Sequence, residues 1–207
     1  PGNVEANALP SLENVSRILT PELPVVFGAE NKAIRRIFSS GSECIPSIDQ
    51  LVEPSVMYVP TLYSGFETYA PFRGLPDEIY LEWQQNLLST LMAKFDVTLK
   101  LHPKGVSALQ SAEVNINKEP FQKCYVNGDI YVFDYISSAF NIAAATDRPI
   151  IFFDLKTRRL HPKALAAVKE RCVYIPVEDL FHQTIENLID LQGSKKCTNT
   201  YTKTYCL

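Results

Sequence analysis

The amino-acid sequence predicts an α/β protein whose mainly parallel sheet is doubly wound, with helices on both faces. Two observations carry that expectation. From residue 56 onward, short apolar runs of strand length alternate with longer segments whose apolar residues recur at helical spacing. Two polar motifs, His102-Pro103 and Asp134-Tyr135-Ile136-Ser137-Ser138, stand directly after two of those runs. In an open α/β sheet the carboxyl ends of the strands form the ligand-binding edge.

Taken in order, the first 20 residues are polar and carry few signals. Residues 25–27 read as a short strand ended by Gly28. Residues 30–38 read as a helix with Ile34, Ile37 and Phe38 on one face, stopped by the Ser/Gly run at 39–42. Residues 43–55 read as a linker broken by Pro46 and Pro54. Residues 56–59 are a strand, and 60–76 a long loop of the kind that often carries function. Asp77 is placed to cap a helix over 78–95, where Ile79, Trp83, Leu87, Leu88 and Leu91 share a face.

A strand over 97–101 follows, then a short helix at 106–112 and a strand near 124–126. Next come a strand at 130–133, a helix at 139–145 and a strongly apolar strand at 149–153. A helix at 162–170, a strand at 173–175 and a helix at 178–191 complete the pattern. Residues 193–207, rich in Lys, Thr and Tyr, read as a flexible tail. Residues 56–192 are accordingly expected to be a Rossmann-like nucleotide-binding domain. No secretory signal opens the chain, and its start at Pro1 instead of Met is expected to mark a boundary or cleavage point.

The 207 residues fit one large domain, or one domain plus part of another, and 46% hydrophobic content supplies a substantial core. The net charge of −3 is no signature of nucleic-acid binding. Lys100, Lys104, Arg158 and Arg159 are local cations available to an anion, although such residues are ordinarily solvated surface. Five scattered cysteines form no C-x-x-C pair, which argues against zinc and against a secreted disulfide framework. A reducing, cytoplasmic setting is expected, with Cys124 and Cys172 as small core residues. No apolar run reaches membrane-spanning length.

His102 stands where a strand ends, and Pro103 forces the chain out of that strand. An imidazole there can donate to a phosphate or a sugar hydroxyl, or merely satisfy a loop carbonyl. Lys104 adds charge beside it. Ser137 and Ser138 are good helix N-caps, and one hydroxyl suffices for a cap, which leaves the second for a ligand anion. Asp134 would repel a phosphate and is expected to stabilise the loop through backbone amides. Asp154, at the end of its strand, is a candidate for a sugar hydroxyl or for a loop bond. Glu178 and Asp179 are placed to cap the last helix, and Glu178 is also a candidate ribose contact. Arg148, His161 and His182 read as surface residues. Gly-x-Gly-x-x-Gly, Walker and Gly-x-Ser-x-Gly patterns do not occur, and His and carboxylates show no metal-ligand spacing.

Together, Tyr58-Val59-Pro60-Thr61, Lys100-Leu101-His102-Pro103, Phe133-Asp134-Tyr135-Ile136-Ser137-Ser138 and Arg148-Pro149-Ile150-Ile151-Phe152-Phe153 resemble the C-terminal half of GT-B-fold transferases that use cytidine-nucleotide donors. The resemblance is strongest to the CDP-glycerol glycerophosphotransferases of teichoic acid and capsule synthesis, and covers about residues 56–190. Bacterial sialyltransferases and capsular Kdo transferases share the His-Pro and Ser-Ser motifs. One departure is Ile136, which separates Tyr135 from the serines where the teichoic acid enzymes read Asp-Tyr-Ser-Ser.

The resemblance implies that His102, with Pro103 and Lys104, and the paired Ser137 and Ser138 hold the phosphate of a CMP- or CDP-activated sugar or polyol donor. The acceptor it implies is a glycan or polyol phosphate, with transfer needing neither metal nor cofactor. It also implies that residues 1–55 are the end of a preceding domain plus linker. It places the acceptor site and general base in an upstream domain, so no catalytic residue is assigned and the chain alone is expected to be inactive. Location at the inner face of the cell membrane fits the same family. UDP-sugar transferases and UDP-sugar 2-epimerases of this architecture, and a non-catalytic nucleotide-binding module, are the alternatives.

Overall fold

The computed structural model describes residues 29–40, 45–60, 77–102, 109, 113–156, 160–180 and 197–205. Six strands form one all-parallel sheet: β1 (Ser55–Val59), β2 (Asp96–Lys100), β3 (Asn115–Asn117), β4 (Ile130–Phe133), β5 (Ile150–Asp154) and β6 (Val173–Pro176). Their spatial order is β3-β2-β1-β4-β5-β6. This is the doubly wound, Rossmann-like order. The helices are α1 (Ala29–Ser40), α2 (Asp77–Met92), α3 (Phe121–Cys124), α4 (Ser138–Ala144), α5 (Pro162–Arg171) and α6 (Thr200–Tyr205).

The alternation of side chains along each strand divides the core in two. Val56 and Tyr58 of β1 join Leu99, Val132 and Phe153 under α2, where Trp83, Leu87 and Leu91 are buried. Met57 and Val59 join Tyr131, Phe133 and Phe152 on the other face, against α1, α4, α5 and α6. Helices fall on opposite faces because right-handed crossovers run in opposite directions from the middle of the sheet. The chain steps outward from β1 to β2 through α2, and outward from β4 to β5 through α4. Gly128 permits close approach of β4's lead-in to β1, since a Cβ there would lie 2.9 Å from Met57 Cβ.

Several sequence expectations are corrected. The apolar stretch near 124–126 is not a strand. It is α3 followed by a 3-10 turn, Tyr125–Asn127, because Phe121 and Cys124 sit three residues apart and bury the same helical face. The strand lies earlier, at Asn115–Asn117, on the edge of the sheet. Its asparagines and exposed Ile116 give no apolar signal.

The expected flexible tail is ordered at 197–205. Tyr201, Thr202 and Tyr205 are buried, Tyr201 Oη donates to Asn141 Oδ1 at 2.9 Å, and Thr198 N–H donates to Glu170 O at 2.9 Å. Nor is α1 part of another domain, since Ile34 and Ile37 lie in the same core as α4. Residues 43–55 are not merely a linker, because Ile45 is buried and bridges to Cys197. Glu178 and Asp179 are exposed after β6, and the helix that they are expected to cap lies beyond the described residues. The expected strand at 25–27, the rest of the helices at 106–112 and 178–191 apart from Leu109 and Glu178 to Leu180, and His182, Arg158 and Arg159 lie outside the described residues. Cys124 and Cys172 are fully buried, as expected, and Cys197 is buried with them. Among the described residues no helix is long and apolar enough to cross a membrane.

Tyr58 and Tyr131 are fully buried, and burial is the main reason that both hydroxyls ionise well above the usual tyrosine range. Above about pH 10 the unfolded chain loses these protons while the folded chain keeps them, so ionisation draws the equilibrium toward unfolding. Stability is expected to hold up to about pH 10 and then to fall by roughly 1.4 kcal/mol per pH unit for each of the two. Urea titrations at stepped alkaline pH measure this. A flat profile beyond pH 10 would mean that the hydroxyls titrate alike in both states.

Candidate functional site

The strand order fixes the topological switch point of the sheet. β1 and β4 are neighbours, yet their outgoing connections lead to opposite halves of the sheet. In an open α/β sheet a ligand crevice is expected at the carboxyl edge between two such strands. His102 lies two residues beyond β2, and Ser137 four residues beyond β4. With one strand between them and about 4.8 Å per strand, β2 and β4 end about 10 Å apart. The structure thus puts His102 and the serine pair at the same edge, on either side of β1.

His102 is exposed. Ser137 is the N-cap residue of α4, with extended backbone (φ −126°, ψ −179°). Its carbonyl accepts from Asn141 N–H at 3.2 Å, but its hydroxyl makes no cap hydrogen bond. Ser138 is exposed at the first helical position. The division of labour read from the sequence, with Ser137 capping and Ser138 available, is therefore corrected: the Ser137 hydroxyl is not spent on the cap. Ile136, the residue that departs from the family pattern, packs against the α4-side core and anchors the loop one residue before Ser137. Pro103 and Lys104 lie outside the described residues.

Asp134, expected to stabilise its own loop, also reaches two side chains of other elements. It is 3% exposed, and its Oδ2 accepts from Tyr58 Oη at 2.8 Å and from Gln84 Nε2 at 2.9 Å. These partners belong to β1 and α2, so one carboxylate ties three elements together at the head of the crevice. Burial, followed by the negative charge of Asp134, raises the Tyr58 ionisation. Tyr58 packs in the α2-side core and Phe140 of α4 in the opposite one. The carboxylate thus engages the far side of the sheet from the helix that Ser137 begins.

Lys100, expected at the surface, is 3% exposed at the end of β2. Its Nζ donates to Leu101 O at 2.6 Å. Burial lowers its pKa, against a smaller opposing influence from Cys124 and Glu119.

Asp154 and Glu178 fall on the other half of the edge. Asp154 accepts from Tyr174 Oη and, at 3.0 Å, from Lys156 N–H, which fixes the turn after β5 where Lys156 has φ 57°. Lys156 Nζ lies 3.6 Å from Asp154 and 4.0 Å from the exposed Glu178. Of the two roles open to Asp154, the structure occupies the carboxylate with the loop. Glu178 follows β6, two strands beyond β4. Neither is brought to the β1–β4 crevice. His161 caps α5, its Nδ1 accepting from Lys163 N–H at 3.3 Å. Arg148 is no idle turn residue, since its Nη1 donates to Gly128 O and, at 2.9 Å, to Val126 O. Among the described residues no cluster of His, Cys, Asp and Glu could hold a metal ion.

Gln84 was legible in principle. It sits on the apolar stripe of α2 between Tyr80 and Leu87, and a polar residue on such a stripe requires a buried partner. No family model matches this chain, and neither does any curated protein or any solved structure.

Proposed function

We propose that this chain binds a CMP- or CDP-activated donor at the β1–β4 crevice and serves a glycosyl- or glycerophosphotransferase of bacterial surface polysaccharide synthesis. The observation that carries the reading is the Ser137 hydroxyl, uncommitted to its own helix, at the edge of a topological switch point with His102 across β1. In this reading the donor phosphate lies between them. Group transfer breaks the bond between the transferred group and the nucleotide phosphate, the acceptor oxygen forms the new one, and the nucleotide departs as an anion. Hydrogen-bond donors already in place stabilise the charge that develops on that leaving group. The acceptor is a glycan or polyol phosphate.

A ligand that binds only the folded state raises its melting temperature. In a thermal-shift panel of CMP, CDP, UDP, GDP and ADP, the cytidine nucleotides are expected to give the largest rise. A uniform absence of shift would remove the reading, and a preference for UDP would move it to the uridine-dependent transferases.

Ser137→Ala separates ligand binding from capping. Losing a hydrogen bond to a charged group costs about 1.5–3 kcal/mol, or roughly ten- to over a hundredfold in affinity. Loss of a working cap ordinarily costs about 1 kcal/mol of stability. With no cap bond to lose, Ser137→Ala is expected to weaken nucleotide binding by that factor and leave the urea midpoint nearly unchanged. Unaltered affinity would show that the hydroxyl does not face the nucleotide.

A further inference from the structure

We infer that Lys100 is a second anion-binding residue of the crevice, holding the diphosphate of a nucleoside diphosphate donor. The inference rests on the nucleotide reading above and adds to it the group that supplies positive charge. Lys100 closes β2, and in the register that pairs Tyr58 with Leu99, it lies beside Val59, which itself pairs with Phe133 of β4. Lys100, Val59 and Phe133 therefore form one row across the strands that bound the crevice. Side chains of Val59 and Phe133 enter the α4-side core, so alternation puts Lys100 on the face of α4, which Ser137 caps.

The ammonium bends forward to Leu101 O, one residue past the strand, and so toward the carboxyl edge and His102. That carbonyl is its one hydrogen-bond partner among the described residues. Glu119, the acid that influences it electrostatically, is exposed and forms no ion pair with it.

A buried ammonium with one neutral partner is an incomplete arrangement. Buried charges are ordinarily paired, because desolvation is compensated only by a counter-charge and by further hydrogen bonds. An ammonium has three donors, and two have no partner among the described residues. A diphosphate supplies both the acceptors and the charge. A purely structural lysine at this position would instead be expected to carry a carboxylate partner or to extend to solvent.

Lys100→Met tests this by titration calorimetry on the 207-residue chain with CDP, cytidine and inorganic pyrophosphate. Methionine keeps the length of the stem and removes the charge, so the melting temperature is expected to be equal to or above the parent's. Affinity for CDP and pyrophosphate should fall by about tenfold or more, as for loss of a charged hydrogen bond, while cytidine binding stays unchanged. Lys100→Arg should retain part of the CDP affinity. If the parent binds CDP and Lys100→Met binds CDP and pyrophosphate equally well, the role of Lys100 is overturned and the nucleotide reading stands. If the parent binds pyrophosphate through Lys100 but not CDP, the anion site stands and the nucleotide reading falls. Binding of neither by the parent overturns both.

Discussion

Arg171→Met is expected to destabilise the protein by roughly 3 kcal/mol or more. Arg171 is the last residue of α5 and is 0% exposed. Its guanidinium reaches across to the end of α4. Nε donates to Ala144 O at 2.9 Å, and Nη2 donates to Ala143 O at 3.2 Å and to Thr146 O and Arg148 O at 3.0 Å each. The last carbonyls of a helix have no partner within it. Here one side chain of a neighbouring helix serves them, aided by Thr202 Oγ1, which donates to Ala144 O at 2.6 Å.

Burial depresses the Arg171 pKa, but a guanidinium remains charged, so each bond is charge-assisted. Methionine fills much of the space and leaves the carbonyls of Thr146 and Arg148 without their donor. Lysine is no remedy, since one ammonium cannot reproduce the planar fork. The expected outcome is a loss of roughly 6–12 °C in melting temperature for a domain of this size, for Arg171→Met, with Arg171→Lys similar. A shift within about 2 °C would mean that water replaces the guanidinium at little cost.

Asp134→Ala is the second large effect, at about 2–4 kcal/mol. It leaves the Tyr58 hydroxyl and the Gln84 amide buried without their acceptor, and each unsatisfied group costs about 1–3 kcal/mol. Both donors use the same carboxylate oxygen, so Asp134→Asn, with its amide oxygen in that position, is expected to lose much less. Tyr58→Phe removes one donor and should cost about 1–2 kcal/mol. Because the three groups share one network, Asp134→Ala and Tyr58→Phe should fall short of additivity by about 0.5–3 kcal/mol. A double-mutant cycle in urea measures that coupling, and strict additivity would mean that the contacts act independently.

These two networks show where the sequence was legible. The parallel order followed from apolar runs such as 130–133 and 149–153, which bury every residue of β4 and β5. The placement of His102 and Ser137 at one edge followed from the same runs, because parallel strands send all their carboxyl ends the same way. The polar cross-links were hidden. Arg171 reads in sequence as a cation favouring its own helix terminus, and nothing local reveals that it serves α4, 25 to 28 residues away. Asp134 and Gln84 are 50 residues apart, and Tyr58 is 76 from Asp134. β3 escaped notice because an edge strand of three residues needs no apolar side chain, and α6 because its tyrosines are mixed with Thr and Lys. Lys100 was misplaced because strand alternation sets its direction, whereas its burial depends on α3 and the neighbouring strands.

A crystal structure of the 207-residue chain with CDP would locate the nucleotide phosphates on the sheet. Phosphate oxygens are expected within about 3 Å of Ser137 Oγ, at the carboxyl edge between the ends of β2 and β4, with His102 and Lys100 Nζ on the opposite side of the same diphosphate. CDP seated at the amino-terminal edge of the sheet, or against Asp154 and Glu178 beyond β5, would contradict that placement.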